Sequence, residues 1–213
     1  MDILLTLLQG IGVTVSVTVL AIAIGLALGA PIAAMRMSSN RVLSFVAGAV
    51  VNIVRGVPAI VWLFIVFYGL GSTVIRFDPF TTAVVTLGVF ATAQFAEVYR
   101  GGLLSVPRGQ TESARVLGFS RVNVFTLVQL PQALLGAIPA GATVAIGLIK
   151  ESAVVSIIGV MDITGRASAM ALRSSDDIVI YVVAAVLYIV LSIPVALLAR
   201  AVHAILERRV HAR

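Results

Sequence analysis

The pair Lys150-Glu151 stands in an otherwise apolar stretch of the chain and is followed directly by Ser152. An ammonium beside a carboxylate can contact the two charges of a zwitterion, help to form a gate, or lock neighbouring helices together. Adjacent residues point about 100° apart on a helix, so the two charges cannot both face one neighbour. We therefore favour a structural lock, or side chains that snorkel to a polar layer, over contact with a ligand.

Two other positions carry charge in or beside apolar stretches. Glu97 and Arg100 have the i,i+3 spacing at which an acidic and a basic side chain meet on one helix face, so an ion pair is expected. Arg55 lies three residues before Pro58. Because proline lacks the backbone donor that a helix needs, we predict a kink or a break here, where Arg55 either holds the interrupted helix or faces a pore.

The chain carries none of the common catalytic or phosphate-binding motifs. Its single lysine, Lys150, follows Ile149, so a Gly-x-x-x-x-Gly-Lys phosphate loop is absent. Neither a His-Glu-x-x-His zinc motif nor a Gly-x-Ser-x-Gly elbow occurs, and there is no cysteine for a thiolate metal site or a disulfide. We predict that the chain is not an enzyme by itself and binds no cofactor or metal.

Composition indicates a membrane domain. Of the 213 residues, 60% are hydrophobic and only 11% are charged, and the mean hydropathy is +1.12. Soluble proteins carry about 25% charged residues, and a helix needs roughly 20 apolar residues to cross a bilayer. We predict one all-α integral membrane domain over residues 1–213. The windows without Asp, Glu, Lys, Arg or His that support this prediction are 3–35, 56–75, 79–96, 122–149 and 178–199.

The charge pattern orients the predicted spans. The net charge is +6, but the basic residues lie at the ends of apolar windows and not along one polar face, so nucleic-acid binding is not expected. With the N-terminus outside and the C-terminus cytoplasmic, eleven arginines lie in inner segments and three in outer ones, as the positive-inside rule requires. The five predicted helices are 10–34, 44–71, 80–99, 131–158 and 178–201. The inner arginines are Arg36, Arg41, Arg55, Arg100, Arg108, Arg115, Arg121, Arg200, Arg208, Arg209 and Arg213, and the outer ones are Arg76, Arg166 and Arg173.

A polar island separates two of the apolar windows near the middle of the chain. Thr111 can cap a short helix with Glu112 in its first turn, and Gly118 lies where that helix must end. Ser120 can then cap a second short helix, and Pro131 suits the first turn of the membrane helix that follows. The predicted result is a compact helix–turn–helix that projects from the membrane.

This polar segment, residues 101–130, is far longer than an ordinary connection of about 4–6 residues, which favours a functional loop over a simple connector. Its spacing resembles the Glu-Ala-Ala…Gly…Ile-x-Leu-Pro cytoplasmic loop by which permease subunits of ATP-binding-cassette (ABC) importers bind their ATPases. A serine replaces the first alanine and a valine replaces the isoleucine. The ATPase-coupling residues that the resemblance implies are Glu112, Ser113, Ala114, Gly118, Phe119, Val128, Leu130 and Pro131.

The flanking segments narrow the resemblance to one branch. The chain is similar to permeases of the polar amino acid uptake family, which includes histidine, glutamine, glutamate, arginine and opine systems. Glu151-Ser152-Ala153 follows the lysine here, where Asp-Thr-Ser often follows it in the family, and this departure affects the expected substrate more than the expected family. The segments that carry the resemblance are Leu8-Gln9-Gly10, Arg55-Gly56-Val57-Pro58, Ala96-Glu97-Val98-Tyr99-Arg100, Val106-Pro107-Arg108-Gly109-Gln110 and Lys150-Glu151-Ser152.

The resemblance implies a type I importer permease of the bacterial cytoplasmic membrane, one half of a two-permease domain. It implies as partners a dimer of ABC ATPases that use ATP and Mg²⁺, a second copy of the chain or a homologous permease, and an extracytoplasmic substrate-binding protein. The expected cargo is a polar amino acid or a related zwitterion such as an opine or compatible solute. Candidates for the substrate path are Arg55, Glu97, Lys150, Glu151 and Ser152.

An ion-coupled secondary transporter that uses Lys150 and Glu151 as its relay is the alternative function. Internal repeats are common in such transporters, and we find none in this short chain. Co-purification separates the two functions, since an ABC permease should retain an ATPase subunit in mild detergent and a secondary transporter should not.

Overall fold

The computed structural model describes residues 3–70, 78–173 and 177–211, and every regular element in these ranges is a helix, which confirms the predicted all-α class. Three of the helices continue into a differently wound segment. The elements are α1 (Ile3–Arg36), α2 (Arg41–Gly56), α3 (Ala59–Phe64, continued by the π-helical segment Ile65–Leu70), α4 (Pro79–Leu104), α5 (Arg108–Val116), α6 (Arg121–Asn123, continued by the π-helical segment Val124–Gln129), α7 (Leu130–Glu151, continued by the 3₁₀ segment Ser152–Ile158), α8 (Ile163–Ala171) and α9 (Asp177–His211).

The described residues contain up to five candidate membrane spans, the number that was predicted, but one of the five is a bent pair of helices and not a single helix. A fifth candidate span, beside four long apolar helices, is the pair α2 and α3, whose axes meet at 99°. Arg76 and Arg213, which entered the orientation argument, lie outside the described residues. The four long candidate spans are Ile3–Arg36, Pro79–Leu104, Arg121–Ile158 and Ile178–Arg208.

The bend between α2 and α3 originates at Pro58. In a continuous helix the Val54 carbonyl would accept a hydrogen bond from the amide of residue 58, and proline has no N–H to donate. The indole Nε1 of Trp62 donates to the Val54 carbonyl instead, at 3.1 Å. The predicted break is therefore confirmed, and the prediction of one helix over residues 44–71 is wrong because the chain turns sharply at the proline.

Small residues let α1 and α4 cross closely at the centre of the bundle. A Cβ added to Gly25 of α1 would lie 2.7 Å from the Cβ of Ala91 in α4, which is closer than two carbon atoms can approach. Ala21, Leu87 and Ala91 are fully buried at this crossing. In a membrane, where lipid competes for apolar contacts, such close backbone packing is a main source of helix association.

The short helix α8 was not predicted, and a buried carboxylate holds it in place. Asp162 caps α8: its Oδ1 accepts from the Gly165 N–H at 2.8 Å, and its Oδ2 accepts from the Tyr188 hydroxyl of α9 at 2.9 Å. The Ile163 N–H donates to the Thr14 hydroxyl of α1 at 3.2 Å. Burial raises the pKa of the Asp162 carboxyl, against the opposing effect of these hydrogen bonds. The cluster joins α1, α8 and α9.

Candidate functional site

The polar loop of residues 101–130 is built from α5, a tight turn and α6. Gly118 has a φ of +82°, in the left-handed region that glycine adopts without steric cost. The Gly118 N–H donates to the Arg115 carbonyl at 3.0 Å, and the Phe119 N–H donates to the Ala114 carbonyl at 3.1 Å. These are the two hydrogen bonds of a Schellman cap. The predicted glycine turn is confirmed.

The second arm of the loop begins where it was predicted to begin. The Ser120 hydroxyl accepts a hydrogen bond from the Asn123 N–H at 3.2 Å and so caps α6. The backbone then continues through a π-helical segment into α7, with Pro131 in the first turn of α7. The second arm and α7 therefore belong to one helical segment, Arg121–Ile158.

The start of the first arm was predicted wrongly. Helix α5 begins at Arg108, directly after Pro107, whose fixed φ already suits the entry into a helix. Thr111 is therefore not the cap, and Glu112 does not lie in the first turn. The Thr111 hydroxyl instead accepts from the Gln129 side-chain amide at 3.2 Å, which ties the first arm to the end of the second.

Large apolar side chains project from the turn of this loop. Val116, Leu117 and Val122 are 88%, 76% and 69% exposed, whereas Ala114 and Val124 are buried and hold the two arms together. Exposed apolar groups on a polar loop are typical of a protein contact site. Among the predicted coupling residues, those exposed are Glu112, Ser113, Gly118, Phe119 and Leu130, those half-buried are Val128 and Pro131, and the buried one is Ala114.

Three arginines from three helices share the carboxylate of Glu97. Arg36, the last residue of α1, forms an ion pair with Glu97 Oε1. Arg100 NH2 lies 2.9 Å from Glu97 Oε2, and Arg55 NH1 lies 3.7 Å from the same oxygen. The predicted pair of Glu97 with Arg100 is confirmed, and the other two partners were not predicted. The cluster fastens the ends of α1 and α2 to α4.

Arg55 also connects the bent helix to a cavity that has three polar side chains in its lining. Its Nε donates to Gln94 Oε1 at 3.0 Å, and its side chain is 40% exposed. Gln94, Thr143 and Glu151 all line a cavity of about 250 Å³ between α4 and α7. Gln94 and Thr143 were not among the predicted site residues. The sequence feature that could have identified them is a polar side chain within an apolar window.

Lys150 and Glu151 face different spaces. Glu151 lines the 250 Å³ cavity, while Lys150 lines a groove of about 530 Å³ between α7 and α9. Within the part of the chain that the structure describes, neither residue forms an ion pair, so no lock between helices of the same chain is seen there. Ser152 is fully buried, and its hydroxyl donates to the Ile149 carbonyl at 2.7 Å.

Known proteins resemble this chain over most of its length. The L-cystine transport system permease protein TcyL of Bacillus subtilis (strain 168) is 32% identical over 194 residues, which cover 88% of this chain and 81% of TcyL. The octopine transport system permease protein OccM of Rhizobium radiobacter is 32% identical over 199 residues, which cover 89% of this chain and 81% of OccM.

A solved structure and a sequence-family match point to the same group of transport proteins as these relatives. A chain in the crystal structure of an amino acid ABC transporter with histidines superposes on this one with a TM-score of 0.85 at 31% identity, and the match covers 93% of each chain. Residues 21–212 match the sequence family described as the binding-protein-dependent transport system inner membrane component. This multi-pass membrane protein therefore belongs to the family of binding-protein-dependent transport system inner membrane components.

Proposed function

We propose that the chain is a permease subunit of an ABC importer that carries a polar amino acid or a related zwitterion across the bacterial cytoplasmic membrane. The observation that carries the proposal is the glycine-capped turn at Gly118 with its exposed apolar tip, found in a chain of this family. The loop has the form of a docking element, and α6 links it directly to the span that contains Glu151.

The partners follow from this function. Two ATPase subunits bind the loops of two permease subunits and supply the energy from ATP and Mg²⁺, while this chain binds no cofactor. An extracytoplasmic substrate-binding protein delivers the cargo to the opposite end of the bundle, and nucleic acid has no part. The N-terminus lies outside and the C-terminus lies in the cytoplasm, so the clustered arginines at the loop end of the bundle face inward.

The alternative of an ion-coupled secondary transporter has less support. Family membership favours a system that works with a binding protein, and ion coupling by itself does not require a long capped loop. The cargo class is supported by two relatives at equal identity, one named for cystine and one for octopine. Both are compact molecules that combine ammonium and carboxylate groups, so a zwitterion is the shared chemistry.

Co-purification with an ATPase tests the proposed function. The chain should be expressed with the ATPase and binding-protein genes of its own host and extracted in mild detergent. We expect a stable permease–ATPase complex whose ATP hydrolysis in proteoliposomes rises when a substrate-loaded binding protein is added. Uptake driven by an ion gradient without any ATPase would contradict the proposal and support the secondary transporter.

Glu112→Lys is expected to weaken ATPase association about 5- to 10-fold. Glu112 is exposed on α5 beside the apolar tip, so a reversed charge changes the electrostatic match to the partner while the fold is retained. A quantitative pull-down from detergent measures the effect, and Glu112→Gln should give an intermediate value. Undiminished ATPase recovery with Glu112→Lys would count against docking at this face.

The cavity beside Glu151 is the proposed substrate path. It offers a carboxylate for an ammonium group, the Gln94 amide and the Thr143 hydroxyl. The Arg55 guanidinium, which suits a carboxylate, is hydrogen-bonded to the lining residue Gln94. A volume of about 250 Å³ is of the size of a single amino acid with little surrounding water. Lys150 faces another groove and lies off this path.

Glu151→Gln should raise the KM for uptake about tenfold or more and change the order in which amino acids compete. A hydrogen bond to a charged group is worth about 1.5–3 kcal/mol, and the glutamine amide cannot attract an ammonium as the carboxylate does. Uptake competition with a panel of labelled and unlabelled amino acids provides the measurement. ATPase recovery should stay normal, and an unchanged substrate order together with an unchanged KM would exclude Glu151 from the path.

A further inference from the structure

Lys150 and Glu151 are charges at the C-terminal end of α7, within the span Arg121–Ile158, and neither has an ion-pair partner in the described part of its own chain. Glu151 shares its cavity with Phe90 and Gln94, which lie near the middle of the 26-residue helix α4. The pair is thus closer to the bilayer centre than to its edge. Charges at this depth are strongly disfavoured unless they face protein or water, and a partner chain that supplies opposite charges satisfies this condition for both residues.

The surface of α7 between the two charges is made of small residues. Successive residues turn by about 100°, so if Lys150 is placed at 0°, Thr143, Gly147 and Ala140 lie at about 20°, 60° and 80°, and Glu151 at about 100°. Thr143 and Ala140 are exposed and Gly147 is half-buried. A Cβ added to Gly147 would meet no atom within 4 Å, so a neighbouring helix has room to approach.

We propose that this face of α7 is the surface at which two copies of the chain meet across a two-fold axis along the membrane normal. Two helices related by such an axis present the same face to each other, and a residue on one flank lies opposite the partner's residue from the other flank. Lys150 of each copy then lies opposite the partner's Glu151. Two ion pairs form, and the small residues between them allow close backbone contact.

This inference rests on the proposed permease pair and goes beyond it by naming the contact face and the paired charges. It also places the Glu151 cavity beside the subunit contact. The carboxylate then has two cationic partners in turn: the partner's Lys150 when the cavity is empty, and the ammonium of the substrate when the cavity is filled.

Cysteine cross-linking tests the contact, because the natural chain has no cysteine. Gly147→Cys and Thr143→Cys, each in the complete transporter in native membranes, should form disulfide-linked permease dimers on oxidation with copper phenanthroline. Val19→Cys is the matched control, since Val19 is 56% exposed on another helix, α1, and should not link. If neither α7 variant links while the ATPase still co-purifies, the contact is wrong and the proposed function stands.

A charge exchange tests the pairing itself. Lys150→Glu should lower the fraction of Gly147→Cys dimers about tenfold, because it places like charges opposite each other at both pairs. The double change Lys150→Glu with Glu151→Lys restores opposite charges and should bring the dimer fraction back to within about twofold of the starting value. Recovery in the double variant also shows that the single variant was folded. A double variant that links no better than Lys150→Glu would overturn the pairing.

Discussion

Gly118→Leu should abolish uptake and uncouple ATP hydrolysis while the protein still inserts into the membrane. At a φ of +82° an L-residue with a bulky side chain is strained by about 1–2 kcal/mol, a factor of roughly 5 to 30 in the population of the turn. No atom lies within 4 Å of the added Cβ, so the effect comes from backbone strain and not from a clash. Unwinding the turn displaces Leu117 and Val122, the apolar tip that we propose to dock into the ATPase.

Two matched variants isolate the backbone effect in this experiment. Gly118→Asn should retain most of the uptake, because asparagine tolerates the left-handed conformation. Gly109→Leu adds the same side chain within α5 at a position with open space and an ordinary helical backbone. Uptake of a labelled amino acid and substrate-stimulated ATP hydrolysis are measured for each inserted variant. Normal uptake with Gly118→Leu, or an equal loss with Gly109→Leu, would contradict the role of the turn.

The loop shows which features of a site are readable from sequence. Gly118 and Ser120 act within three to five residues of the groups that they satisfy, so their roles were predictable from local rules. The start of α5 was not predictable in this way, because Pro107 and Thr111 are both residues that favour a helix start and they lie only a few positions apart. The helix begins after Pro107, and the Thr111 hydroxyl accepts a hydrogen bond from Gln129, which is distant in sequence.

The spans show a similar division between local and tertiary causes. Hydropathy identified the four long helices, although the observed helices extend beyond the predicted ends, by as much as the stretch from Arg121 to residue 131, and Pro58 marked the break between α2 and α3. The 99° angle at that break depends on how α3 packs on the bundle, which no local pattern contains. The nine-residue helix α8 was too short for a periodicity argument, although Asp162 directly before it was an available cap signal.

The charge cluster at Glu97 depended on contacts that a linear reading cannot supply. The pair with Arg100 follows from i,i+3 spacing, but Arg36 lies 61 positions away in sequence and reaches Glu97 only because α1 and α4 cross closely. The role of Gln94 was also not readable from the sequence, because it depends on two tertiary contacts. Gln94 accepts a hydrogen bond from Arg55 and lines the same cavity as Glu151.

Glu97→Gln should be the most destabilising single change in the polar clusters described above. It leaves three guanidinium groups together without a carboxylate, and breaking a buried ion pair by removing one partner costs about 3–5 kcal/mol. Arg55 and Arg100 are 40% and 32% exposed, so solvent screens part of this effect, and a loss of about 2–4 kcal/mol is expected. A lower melting temperature of the detergent-purified complex, with reduced yield from membranes, is the measurement.

A double-mutant cycle distinguishes two causes of the stability lost in Glu97→Gln, namely repulsion between the arginines and loss of packing. The Arg36 side chain is the least exposed of the three arginines at 15%, so its repulsion from the others is the least screened. Glu97→Gln combined with Arg36→Gln should therefore regain more than half of the lost stability, because the amide pair is neutral and can still hydrogen-bond. Glu97→Gln combined with Arg55→Gln should regain less, since Arg55 is more exposed and lies 3.7 Å from the carboxylate. If both double variants melt at the temperature of Glu97→Gln alone, the three helix ends are held by packing and not by the shared carboxylate.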